Sequence, residues 1–246
     1  MKKTFLILAA LLIMGSSAFA IGGLDIAIGP KVGYQTAKLS YQKNDIKAGF
    51  ANSFTVGLFG RVEIGHLYVQ PEVLWFKSSN AFDMSIDKSS AEAIWGINYP
   101  NGVQFTMVRN AMNIQVPVLI GYKYAFSDSF AIRVQAGPTA NFTIPSKTIV
   151  QQSAAISDDA AFPEQIKDAD FNTKNIAWGV QVGGGVDLPF GFTLDINYNL
   201  GVSKIFGANV IQGLSPELAN KIDLGNIDKT KQNLFMVTVG FKLFNF

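Results

Sequence analysis

The stretch Phe54–Phe76, FTVGLFGRVEIGHLYVQPEVLWF, alternates between two kinds of residue on either side of Gly65-His66. Phe54, Val56, Leu58, Val62 and Ile64 share one face around Gly60, against Thr55, Gly57, Phe59, Arg61 and Glu63. Beyond the glycine, Leu67, Val69, Pro71, Val73 and Trp75 oppose Tyr68, Gln70, Glu72, Leu74 and Phe76. A period of two belongs to a β-strand with a different environment on each side. A two-residue connection makes the two strands antiparallel neighbours. At ~3.3 Å per residue and a tilt of about 40°, each run rises roughly 25 Å, the height of the apolar band of an outer-membrane barrel.

The same pattern recurs in segments 24–34, 54–64, 67–76, 111–124, 130–143, 176–188, 192–202 and 234 to the C-terminus. Short connections at Gly65-His66, Ser127–Ser129 and Pro189–Gly191 alternate with long ones, roughly 37–53, 78–110, 144–175 and 203–233. The expected fold is all-β: an eight-stranded antiparallel up-and-down transmembrane β-barrel with short periplasmic turns and long external loops. Within those loops, Ser215-Pro216-Glu217 predicts a short helix to about Ile222. The acidic stretch from Asp158-Asp159 to Asp170 reads as a solvated loop with a short helix after Pro163. Pro30, Pro71, Pro117 and Pro138 fall inside predicted strands, where a missing N–H predicts bulges.

A water-soluble calyx would show the same alternation with inside and outside exchanged, and periodicity alone does not separate the two. Large aromatics near the strand ends (Tyr34, Trp75, Tyr122, Tyr124, Trp178 and Phe192) suit membrane girdles. The polar face mixes charge with glycine, and the chain stops on Phe246 at a strand end. At the other end, Lys2-Lys3, an apolar Phe5–Met14 and Ala18-Phe19-Ala20 read as a secretory signal over residues 1–20, leaving residues 21–246 as the barrel domain. Without Lys2 and Lys3 the basic residues number 18, against 18 acidic ones. No basic stripe remains to track phosphates, so no nucleic-acid partner is expected. There is no cysteine and a single histidine, His66, in a predicted turn, so neither a metal cluster, a cofactor site nor a nucleophilic triad is expected.

The polar face carries Asp25, Lys31, Arg61, Glu63, Glu72, Lys123, Arg133, Asp187, Asp195 and Lys242, five of each sign. Eight strands enclose a lumen just wide enough for their own side chains, and buried charges must pair. An interior charge network of Lys31, Arg61, Glu63, Glu72, Arg133, Asp187 and Asp195 is therefore expected, with Glu72 accepting hydrogen bonds from Arg61 or Arg133. Gly183-Gly184-Gly185 lies within a strand and reads as a place of close packing, not a phosphate loop.

Several segments resemble the PorT-type family of outer-membrane β-barrels. LYVQPEVLWFK at 67–77 is similar to the family's third strand, and MNIQVPVLIGYKY at 112–124 to its fourth. VQAGPTANF at 134–142, WGVQVGGGVDL at 178–188 and FTLDINYNLGVSKI at 192–205 follow in order. The resemblance implies a non-enzymatic accessory or interaction component of protein export or surface assembly, of the type IX secretion kind, with a small pore as the alternative. Its implied partners are outer-membrane lipid, export-system proteins and the barrel-assembly machinery, for which Phe246 would be the assembly signal. Loop residues Trp95, Tyr99, Phe162 and Leu218 would offer anchors for a partner.

Overall fold

The computed structural model describes residues 24–40, 51–96, 102–127, 129–145, 148–152, 170–212 and 229–245. In chain order the elements are β1 (Leu24–Ser40), β2 (Ala51–Ile64), β3 (Leu67–Ile86), α1 (Lys88–Trp95), β4 (Val103–Ser127), β5 (Phe130–Pro145), β6 (Ile149–Gln152), β7 (Asp170–Thr173), β8 (Ile176–Asp187), β9 (Phe192–Gly201), β10 (Phe206–Gln212), β11 (Lys231–Phe241) and β12 (Phe244–Asn245). Eight of these strands close a ring, β1-β2-β3-β4-β5-β8-β9-β11 and back to β1. Its seam is antiparallel, with Tyr34 opposite Val237. A closed ring leaves no strand edge exposed to hydrocarbon.

The side-chain alternation decides which face is the interior. Val32, Leu58, Ile120, Val134 and Ile196 are exposed, while Lys31, Arg61, Arg133 and Asp195 on the alternate positions are buried. Water would not solvate such an exterior, whereas lipid does. This arrangement excludes the calyx. Near the external ends, Tyr34 lies opposite Phe54 and Tyr198 opposite Phe235. With Trp75, Phe142 and Trp178 they form one exposed aromatic girdle. At the periplasmic ends, Tyr124, Phe126 and Phe130 contact one another in sequence, and Phe192 meets Phe241 edge-on at 5.1 Å.

The strands run further than their alternation suggests. β3 continues to Ile86 and β4 begins at Val103, paired from Lys77↔Met112 to Ile86↔Val103. Much of the 78–110 stretch, read as a loop, is thus an antiparallel extension. Beyond Trp75 the outward positions become Lys77 and Ser79, because the ladder has left the bilayer and its outer face meets water. The apolar–polar contrast that marks a membrane strand is lost there, but the hydrogen bonding is not. On the inner face of the extension Phe82, Ile86, Val103, Phe105 and Met107 are buried, together with Ser78, Asn80 and Arg109. Phe82 packs edge-on against Phe206 of β10 at 6.1 Å, and β10 pairs with β7 as a separate ribbon. β6 adds to β4 on the same side. Helix α1 starts at Asp87, whose carboxylate accepts the Ser90 N–H at 2.9 Å, and stops at Gly96 in the left-handed conformation, φ 67°. The long connections 144–175 and 203–233 are likewise part strand. The helices expected near Ile222 and after Pro163 lie outside the described residues.

The prolines break ladders without shifting them. Pairing of β2 with β3 passes from Phe59↔Glu72 to Val62↔Val69 in one register across Pro71. β3–β4 and β4–β5 cross Pro117 and Pro138 in the same way. The exception is Pro30. Between Lys31↔Gly240 and Ile28↔Phe244 the C-terminal segment gains one residue, and β11 gives way to β12. The last strand is therefore not continuous to the C-terminus. The extra residue sets Phe244 opposite Ile28, while Leu243 stays exposed like the odd-numbered residues of β11.

Candidate functional site

The periplasmic half of the lumen holds a continuous ionic network. Lys31, from β1, reaches across to Glu72 Oε1 on β3 at 2.5 Å and Asp195 Oδ2 on β9 at 2.8 Å. Arg133, from β5, meets Asp195 Oδ1 through Nη2 and Asp187 Oδ1 through Nε, both at 2.8 Å. Arg61 contacts Asp187 Oδ2 at 2.9 Å and Glu63 Oε1 at 3.3 Å. The seven expected residues thus sit in one layer, joined by Lys123, which pairs with Glu63, and Lys242, 3.0 Å from Asp187. Asp25 points inward by parity but lies exposed at the rim, one residue into β1. Glu72 takes its hydrogen bonds from Lys31 and from the Gln70 amide at 2.5 Å, not from Arg61 or Arg133. Arg61 instead donates to Gln70 Oε1 at 2.5 Å.

Aromatic rings wall the network. The Arg61 guanidinium lies 5.2 Å from the Tyr68 ring centre and 5.7 Å from that of Phe59, and the Lys31 ammonium is 5.3 Å from Phe59. These contacts give the cations a partner that costs no further charge. The Tyr68 hydroxyl donates to Gln135 Oε1 at 3.0 Å, and Gln135 donates to Asn197 Oδ1 at 2.8 Å. Glycines make the room. A Cβ on Gly121, directly opposite Tyr68, would stand 2.2 Å from its Cζ. On Gly185 it would stand 2.2 Å from Asp195 Oδ1 and 2.8 Å from Arg133 Nη2. The triple glycine therefore lets the salt bridge cross the face of β8.

Above the ions lies an amide and hydroxyl layer. Gln115 donates to Gln181 Oε1 at 3.3 Å, and Asn199 to Thr139 Oγ1 at 2.8 Å. Ala37, Leu74, Phe76, Leu234 and Met236 then form a buried apolar cluster towards the external end. This cluster was not foreseen. Parity puts Leu74 and Phe76 inside, but nothing in their spacing says that they would meet Leu234 and Met236 across the seam. Among the described residues the lumen is thus filled in three chemically distinct layers.

His66 is exposed in the β2–β3 turn, stacked on Tyr122 at 5.5 Å, with Nδ1 3.2 Å from the Lys123 carbonyl. No acid or hydroxyl is among these contacts. Of the loop anchors, Trp95 ends α1, while Tyr99, Phe162 and Leu218 lie outside the described residues, as does Phe246.

The sequence pattern of the outer membrane protein beta-barrel domain family matches residues 16–207. Among solved structures, OprG from Pseudomonas aeruginosa is 13% identical, covers 89% of this chain and 95% of its own, and superposes with a TM-score of 0.44. Neisserial surface protein A is 12% identical, with 90% and 98% covered and a TM-score of 0.41. Ail of Yersinia pestis, solved with the heparin analogue sucrose octasulfate, is 10% identical, with 91% and 99% covered and a TM-score of 0.37. No curated protein matches the chain. With a family match over most of its length and a lipid-facing ring of eight strands, this chain belongs to the outer membrane protein beta-barrel domain family.

Proposed function

We propose that this protein is a closed, non-enzymatic barrel that resides in the outer membrane and acts by contact through its external face. The observation that carries the reading is the filled lumen: Arg61 and Asp195 are fully buried, and Leu74, Phe76 and Met236 are buried above them. A solute would have to break paired charges in a low-dielectric interior and then part an apolar cluster. The ordered β3–β4 extension, α1 and the β7–β10 ribbon offer a rigid platform on the outside, and recognition commonly resides on loops so supported. The specific role to test is an accessory of protein export or surface assembly of the PorT type, supported by the five segments that resemble that family. In this reading residues 1–20 direct export and are removed, and Phe246 is read by the barrel-assembly machinery.

Two experiments test it together. Planar-bilayer recordings of the folded protein should give no stable open conductance. Replacing residues 88–95, or excising 153–169, should leave the barrel folded and abolish co-purification of a protein partner or export of cargo. Long-lived channels from the wild-type monomer, with both deletions silent, would replace this reading with a small pore.

A further inference from the structure

The periplasmic mouth opens into a cavity of about 660 Å³ between the β4–β5 and β8–β9 turns. Its floor is Asp187, flanked by Lys123 and Lys242, and its lip carries Phe126, Phe130 and Phe190. Asp187 alone is shared by three cations, Arg61 at 2.9 Å, Arg133 at 2.8 Å and Lys242 at 3.0 Å. The described network holds Lys31, Arg61, Lys123, Arg133 and Lys242 against Glu63, Glu72, Asp187 and Asp195, with Asp25 exposed at the same rim as a fifth acid. Asp128, in the β4–β5 turn, lies outside the described residues and outside this count. The Lys123 and Lys242 side chains remain 23% and 13% exposed, and among the described residues each is in contact with a single carboxylate, Glu63 and Asp187 respectively. An ammonium has three donors, so both retain capacity facing the cavity.

The lip has a different character. Phe126 and Phe130 face outward at the level of the periplasmic girdle, with ring centres 5.7 Å apart. Phe190 is 90% exposed and sits at φ 62°, a left-handed backbone that a bulky L-residue rarely adopts. Strain of this kind persists where the turn fixes a side chain in a set place. The turn is held by Leu188 N–H donating to the Phe192 carbonyl at 2.8 Å and Lys242 N–H to that of Gly191 at 2.8 Å. Two partly exposed lysines, one on either side of Asp187, thus open sideways onto an aromatic lip at the depth of lipid headgroups.

We propose that this mouth binds the phosphate of an anionic phospholipid from the periplasmic leaflet, with the anion between Lys123 and Lys242 and the acyl chains over Phe126, Phe130 and Phe190. Phosphate is the shared chemistry, and the lipid tail distinguishes the source. The inference rests on the placement of the barrel in the membrane and not on its action by contact.

The test reconstitutes the full barrel in nanodiscs containing equal phosphatidylglycerol and phosphatidylcholine and counts retained lipid by native mass spectrometry. Phosphatidylglycerol should be retained over phosphatidylcholine by roughly tenfold or more, given two lysines at the surface. Lys123→Gln with Lys242→Gln should abolish the preference, with folding checked by gel mobility before and after boiling. Should that variant not fold, Phe190→Gly decides. It relieves the turn, should fold, and should lower retention of phosphatidylglycerol several-fold, an estimate from the loss of one aromatic contact. Inorganic phosphate and glycerol 3-phosphate should not displace the lipid at millimolar concentration. Equal retention of the two lipids, an unchanged preference in the lysine variant, or displacement by glycerol 3-phosphate would each overturn the proposal, the last by making the mouth a site for soluble anions.

Discussion

Asp195→Asn is the sharpest probe of the lumen. The change keeps the shape and removes one charge. Asp195 is fully buried and touches Lys31 and Arg133, both at 2.8 Å. After the change Lys31 retains Glu72 as its one described carboxylate partner, and Arg133 retains Asp187, which Arg61 and Lys242 already share. Removing one partner of a buried ion pair costs about 3–5 kcal/mol, and the retained contacts place this case near 3 kcal/mol. That is roughly two factors of ten in the folding equilibrium. Adding Lys31→Met removes one of the two under-paired cations and should restore about 1–2 kcal/mol, a coupling typical of groups in one network. The assay is reversible urea unfolding in lipid vesicles, followed by the fluorescence of lipid-facing Trp75 and Trp178. If Asp195→Asn stays within ~0.5 kcal/mol of the wild type, as exposed substitutions do, the lumen is hydrated and the closed-barrel reasoning fails.

Gly121→Val should drive the Tyr68 ring from its seat, since a Cβ alone would stand 2.2 Å from Cζ. The expected loss is about 1–3 kcal/mol in the same unfolding assay, with the barrel still formed. Asp87→Ala should speed amide exchange across residues 88–96 and leave the strands unchanged. The Ser89 hydroxyl and the Ser90 N–H hold the Asp87 carboxyl below the usual carboxylate range. Its folded pKa is therefore depressed, so the cap contributes fully above the unfolded carboxylate pKa and is lost only as pH falls through the lower folded value. Exchange of α1 that quickens at pH 5 would refute this sign.

Much of the ring was legible because lipid and lumen differ in polarity at every second residue. Leu67 to Trp75 and Ile176 to Leu188 carry that contrast at most positions, with Leu74 and the glycines 183–185 as breaks, so their strands and faces follow from periodicity. Legibility ends where the contrast ends. Lys77 and Ser79 face water on an extension that still hydrogen-bonds like a strand, and composition there resembles a loop. Helix α1 did leave a local signal, Asp87 as N-cap and Gly96 as stop, but eight residues give periodicity little length to act on. In the lumen, parity identifies which charges point inward, whereas partners are set by strand order and stagger. Lys31 finds Asp195 over the intervening β11, a contact that no sequence spacing encodes.

The one-residue slip at Pro30 sits where the first and last strands join. Lys31 stands beside it on β1, and Lys242 follows it at the end of β11. Their acids, Glu72, Asp195 and Asp187, belong to strands that lie in the body of the sheet. Lys31–Glu72 and Lys242–Asp187 join strands on one side of the seam, whereas Lys31–Asp195 forms only once β1 meets β11. An open sheet therefore leaves Lys31 and Asp195 without each other on its concave side, which hydrocarbon resists and water tolerates. Closure of the two ends in the correct register is thus what pairs Lys31 with Asp195.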